Sequence, residues 1–251
     1  MSAVPASERA AARSSSPSTF LALYRLVLRL QVTPLRVAGI LALGGLAVLL
    51  GVLARGDDDP LDVTTRVALG TYGLGMVLPL ATVWLATSSI GDLVEDRLLV
   101  YLWLKPVPRW QLPAAAVLAT VTVVVPLVVV PLVATAAVAG ASQLTGAIAL
   151  ACVVSVAAYS GIFVAAGLWL RRALWWSLLY ILVWENGLAR AVVGAGRISI
   201  ATYGQSLVAD AAGVTIRYAD RPTLASIVVP LVVGALGVAL AVIRYRRAEI
   251  D

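Results

Sequence analysis

The sequence predicts an all-α, polytopic membrane protein with six transmembrane helices, on three observations. Of the 251 residues, 61% are hydrophobic and only 13% charged, with a mean hydropathy of +0.96, more apolar surface than a water-soluble core of this length requires. Six apolar runs reach or approach the roughly 20 residues that cross a bilayer: Val37–Leu53, Val67–Ile90, Leu112–Ala139, Leu144–Leu170, Ala173–Val193 and Leu224–Ile243. Finally, the arginines gather in alternate connections, the pattern that orients a multi-pass chain.

Ahead of the first run, residues 1–18 are polar and rich in Ser and Ala, without the apolar stretch of a secretory signal, and read as a disordered leader. Residues 19–36 are rich in Leu and Val. Arg25, Arg29 and Arg36 nevertheless project within roughly 40° of one another at helical spacing, which predicts an amphipathic helix lying in the headgroup plane. The competing reading is an early start to a spanning helix; three arginines and Pro34 weigh against it. Residues 37–251 then form one six-span domain. Its third run contains Pro126 and Pro131, which membrane helices accommodate as kinks. The fifth run is the odd one, because Glu185 arrives after only a short apolar stretch.

With the N-terminus inside, the inner connections hold Arg25, Arg29 and Arg36; Arg97, Lys105 and Arg109; Arg171 and Arg172; and Arg244, Arg246 and Arg247. Outside fall Arg55 and Arg66 beside the acidic cluster Asp57, Asp58, Asp59 and Asp62, and the long fifth connection with Arg190, Arg197, Arg217 and Arg221. Both termini are therefore expected in the cytoplasm, with the chain multi-pass in a bacterial inner membrane. The net charge of +6 suits contact with anionic lipid headgroups.

Several function classes drop out. Cys152 is the sole cysteine and there is no histidine, so neither a thiolate metal cluster nor a His-based protease site can be assembled. No G-x-x-x-x-G-K-[ST] loop is present, so no nucleotide phosphate is cradled here and no cofactor is expected in this chain. The arginines are dispersed between spans and form no continuous stripe, which argues against nucleic acid.

The most distinctive stretch is residues 91–111, charged and Pro-punctuated between two long apolar runs. Its segment Leu98, Leu99, Val100, Tyr101, Leu102, Trp103, Leu104 is too short to span and too apolar for water, so it calls for a groove on a partner. Asp92, Glu95 and Asp96 suit the N-terminus of such a helix, and Lys105, Pro106, Pro108 and Arg109 make a stiff exit. An ordinary charged loop on the headgroups is the alternative.

From Glu95 through Arg109, an acidic pair, a Leu-Leu step and Pro-Val-Pro-Arg entering an apolar run resemble the loop after the second span in ABC-2-type ABC transporter permeases. Arg97 stands near the family's usual glycine and Pro108 in place of its serine, while Ala115 and Ala116 replace a common Gly-Lys pair. The stretch LLYILVWENGLARAVVGAGRISIATYGQSL is similar to the Trp-Glu, glycine-rich and Arg-x-Ser-Ile sequence of many members. The resemblance implies that Asp92, Glu95, Asp96, Arg97, Leu98, Leu99, Pro106 and Arg109 belong to a coupling helix that enters a cleft on a nucleotide-binding ATPase subunit. It also implies ATP and Mg on that partner, a second permease subunit, identical or a sibling, and export as the direction of transport. The aliphatic spans suit a hydrophobic or amphipathic substrate.

Glu185 is the main ionisable residue within a run, and such a group is costly when unpaired. Arg190 and Arg197 are its expected partners, in a re-entrant external cap over 185–223 that begins where the fifth helix breaks near Gly187. A structural ion pair and direct substrate contact both remain open, and Glu185→Ala is expected to hurt more than Glu185→Gln. Gly70, Gly73, Gly75 and Gly234 are candidates for close helix packing. Two other classes stay in view: a membrane scaffold recruiting a cytoplasmic partner, and a secondary carrier, which the uncharged central runs disfavour.

Overall fold

The computed structural model describes residues 17–95, 108–170, 172–191, 193–215 and 221–247. Their regular structure is all helical, with no strand among the described residues. In order they form α1 (Pro17–Gln31), α2 (Pro34–Ala54) and α3 (Pro60–Val63), which runs into a π-helical stretch (Thr64–Val77) and then α4 (Leu78–Glu95). Next come α5 (Gln111–Val138), α6 (Thr145–Trp169) and α7 (Ala173–Leu179), the last leading into a second π stretch (Tyr180–Leu188). The short α8 (Ala189–Ala191) and α9 (Val193–Gly196), then α10 (Ile200–Ala212) and α11 (Thr223–Arg247), complete the order.

Among the described residues, five helices are long and apolar enough to cross a membrane: Pro34–Ala54, Leu61–Ser89, Gln111–Val138, Ser142–Trp169 and Thr223–Tyr245. The chain thus has the architecture of a multi-pass membrane protein. The expected run Ala173–Val193 is not among the five. It divides into α7, the second π stretch and α8, and Glu185, Asn186 and Arg190 lower its hydropathy below that of a clean span. Pro126 and Pro131 both lie inside an unbroken α5.

The centre of the bundle is α6, which packs against α11, α4, α5 and α10. Its Tyr159, Phe163 and Ile148 are among the largest fully buried side chains, beside Leu132 of α5, Leu69, Leu74, Leu78 and Leu85 of the second span, and Ile181. Burial of each such side chain contributes on the order of 1.5–3 kcal/mol in water, but between helices in lipid the gain comes mainly from close packing. The contact of α6 with α11 is accordingly built on small residues. A Cβ on Gly237 would lie 2.5 Å from the Gly161 carbonyl carbon, and one on Gly234 2.9 Å from the Ala157 carbonyl oxygen, so the two backbones touch. The expectation for Gly234 holds.

The leading helix α1 has a protein partner. It buries Leu23 and Val27 and lies along α5, where Tyr24 donates to Thr122 Oγ1 (3.1 Å), Gln31 Nε2 donates to Thr120 Oγ1 (2.9 Å), and Phe20 stacks on Trp110. Arg25 and Arg29 remain exposed on its other side. The turn after α5 closes at Gly140 (φ +85°), with Ala141 N–H bonding the Ala136 carbonyl, a glycine cap that reverses the chain into α6.

Substitution of Gly161 or Gly237 by Ala must separate α6 from α11 and should cost about 1–3 kcal/mol, whereas Gly45→Ala, which meets nothing within 4 Å, should cost less than half of that. Thermal midpoints of the detergent-solubilised variants check the ordering. Equal midpoints for all three would remove the small-residue contact as a determinant of the fold.

Candidate functional site: a buried carboxylate at a helix N-terminus

A helix begins with amide N–H groups that no preceding turn can satisfy, and together they carry about half a positive charge. α10 begins inside the protein, where water cannot take these amides. The N-cap is Ser199, in extended backbone, whose Oγ accepts from Thr202 N–H at 3.4 Å. The remaining amides go to Glu185, which is only 2% exposed. Its Oε1 accepts from Ile200 N–H at 3.2 Å and its Oε2 from Ala201 N–H at 3.4 Å. Two hydroxyls complete the set: Tyr180 donates to Oε1 at 3.0 Å, and Ser199 Oγ donates to Oε2 in a short bond. A buried carboxylate requires donors on both oxygens, and four meet it here.

None of the four is an arginine. Arg197 is exposed and reaches the site through its backbone, its carbonyl accepting from Tyr203 at 3.0 Å. Arg190 lies in α8, its side chain outside the described residues. The cation that does enter the cap is Arg221. Its Nη1 donates to Thr202 Oγ1 (3.0 Å), its Nη2 to the Gly196 carbonyl (2.7 Å), and its guanidinium carbon sits 4.0 Å from the centre of the Tyr203 ring. Partial burial lowers the Arg221 pKa from the ordinary arginine value, the Tyr203 hydroxyl acting in the opposite direction. An arginine so placed still keeps its charge at neutral pH.

A second layer ties this cap to the spans. Asn186 Nδ2 donates to the Gly75 and Ile181 carbonyls, both at 3.1 Å, and Gln205 Nε2 donates to the Gly70 carbonyl at 2.8 Å. All three carbonyls belong to π-helical stretches, whose wide turns offer carbonyls at irregular angles. Gly70 is what lets the first stretch widen: a Cβ there would lie 2.7 Å from the Thr65 carbonyl oxygen, five residues back. On the facing helix α6, Tyr159 lies beside Glu185, Ser155 presents a buried hydroxyl with no hydrogen-bond partner among the described residues, and Gly204 of α10 lies directly against Ser155. Tyr159 stacks on Phe163 at 5.5 Å, and Phe163 meets the Tyr180 ring edge-on at 6.4 Å. The result is a polar knot among aliphatic spans. Since its carboxylate already meets four donors, it is suited to holding geometry.

The other set of sequence-predicted residues is only partly in view. Asp92 and Glu95 fall on the last turns of α4, with side chains outside the described residues. Asp96, Arg97, Leu98, Leu99 and Pro106 lie outside them altogether. Arg109 is partly buried in the turn before α5. Among the described residues no group of acidic, Cys or His side chains has the arrangement of a metal site.

Sequence reasoning identified Glu185 and missed Tyr180, Asn186, Ser199, Gln205 and Arg221. Ser199 was accessible, since a serine immediately before an apolar-periodic run is an N-cap signal. Comparisons with protein-family models, with curated proteins and with solved structures find no match to this chain.

Removing the carboxylate strands two amides and two hydroxyls, so Glu185→Ala should destabilise by on the order of 3 kcal/mol or more. Glu185→Gln turns a donor toward Ser199 and Ala201 and should cost nearly as much. Ser199→Ala should cost about 1 kcal/mol. Arg197→Glu should leave stability within about 0.5 kcal/mol. Unfolding in mixed micelles gives the order, and a large loss for Arg197→Glu would return the arginine to the role of partner.

Proposed function

We propose that this chain is the transmembrane subunit of an ATP-driven transporter of the ABC-2 type, exporting a hydrophobic or amphipathic substrate. The observation that carries the reading is the meeting of two short sequence elements. Trp184-Glu185 and Arg197-Ile198-Ser199-Ile200, which resemble that family's sequence, come together through the Glu185 bonds to Ser199 and Ile200. An arrangement of this kind is what a chain needs if residues 185–223 form a re-entrant cap over a pathway. On this reading Ala173–Ala191 makes a sixth crossing, shorter than the other five, and α10 turns back toward the bundle. Its buried face, including Gln205 and Leu207, supports that arrangement.

The transport work is assigned to partners. Asp92, Glu95, Asp96, Arg97, Leu98, Leu99, Pro106 and Arg109 form the surface for a nucleotide-binding subunit that carries ATP and Mg. A second permease subunit completes the pathway. Both termini and residues 91–111 lie on the cytoplasmic side of a bacterial inner membrane, following the arginine bias. The five apolar helices and the buried cap also suit a scaffold without transport, but the resemblance from Glu95 to Arg109 favours coupling to an ATPase.

Glu95→Arg, or deletion of Leu98–Leu104, should leave membrane insertion intact and abolish both copurification of an ATPase subunit and its stimulated turnover. Copurification and turnover at wild-type levels would overturn the coupling role.

A further inference from the structure

The turn from α6 into α7 places a charge on a backbone conformation that favours glycine. Arg172 has φ 63° and ψ 43° and is the only non-glycine residue with positive φ among the described residues. An arginine gains nothing conformationally there, where a glycine would sit without strain. The Arg172 side chain is exposed, and no carboxylate pairs with it among the described residues. A second arginine comes to the same end of the bundle, because α11 lies against α6. Arg244 sits 5.9 Å from the centre of the Trp169 ring, also without a carboxylate partner among the described residues.

The surroundings are apolar and aromatic. Trp169, Leu170, Trp175 and Trp176 are 55%, 44%, 70% and 57% exposed, a density of indole rings that belongs at the boundary between acyl chains and headgroups. Two guanidiniums with no carboxylate partner among the described residues, beside such a boundary, attract a phosphate group, and a phosphate carrying acyl chains would also use the rings. Free inorganic phosphate or an acidic loop would leave the tryptophans unused.

We propose that Trp169, Arg172 and Arg244 form a binding site for one anionic phospholipid. Its phosphodiester is held by the two guanidiniums, and its acyl chains lie along the Trp175 and Trp176 face. The site is independent of whether the chain transports anything.

The full chain, purified in detergent and titrated with phosphatidylglycerol under native mass spectrometry, tests this. Wild type should bind one phosphatidylglycerol in preference to phosphatidylcholine. Arg172→Gly and Arg244→Gln should each weaken that binding about fivefold, since an arginine near a lipid surface is worth about a factor of five. Arg29→Gln, on α1, should not. Arg172→Gly relieves the backbone and should keep or raise the thermal midpoint; if it fails to fold, Arg244→Gln decides alone. Binding unchanged in both variants, equal binding of phosphatidylcholine, or displacement of the lipid by millimolar inorganic phosphate would each overturn the proposal.

Discussion

A carboxylate in the interior of an apolar bundle must have its charge answered, and the way Glu185 is answered governs the second half of this protein. Its two oxygens collect Ile200 N–H, Ala201 N–H, Tyr180 and Ser199. A net negative charge and the positive end of a helix thus cancel where neither could be left alone. Because Glu185 lies in the second π stretch and its amide partners open α10, the interaction fixes how the chain folds back after α7. Burying four donors around one carboxylate also fixes direction, since a small rotation of α10 would break several bonds together.

The rest of the polar structure follows from that joint. Once α10 is held at its start, Gln205 and Gly204 fall against Gly70 and Ser155, and Asn186 reaches Gly75. The two π stretches therefore do not stand as isolated irregularities. They expose the carbonyls that Asn186 and Gln205 take, and Gly70 removes the side chain that would block the wider turn. Outside this region the bundle relies on close backbone approach, as at Gly161, Gly234 and Gly237, and on the hydroxyl and amide contacts of α1 with Thr120 and Thr122.

Much of this was legible in the residues and some was not. Hydropathy located the five spans within a few residues because lipid imposes length and composition directly. Ala173–Val193 falls short of a clean span by the same measure, because Glu185, Asn186 and Arg190 enter a run whose Trp175, Trp176 and Leu182 remain exposed. Only Arg25 and Arg29 of the expected stripe fall on α1, because the chain breaks after Gln31 and Arg36 belongs to α2; the apolar face pressed on α5 was not legible, since periodicity reports that a face is buried and not against what. Glu185 declared its need for a partner through cost alone. Its partner was sought among nearby cations, because a sequence displays charges and hides helix ends. The π stretches left no sequence signal beyond their glycines, and Arg221 was too far along the chain to associate with Gly196 and Thr202.

Amide hydrogen exchange across Gly196–Leu207, read by mass spectrometry with the chain in nanodiscs, tests the central claim most directly. If the Glu185 carboxylate fixes the start of α10, this peptide exchanges slowly in the wild type and at least about tenfold faster in Glu185→Ala, as local opening replaces a capped helix. Peptides from α6 should stay protected in both. Exchange of Gly196–Leu207 at the wild-type rate in Glu185→Ala would contradict the account, because α10 would then hold its place without the carboxylate.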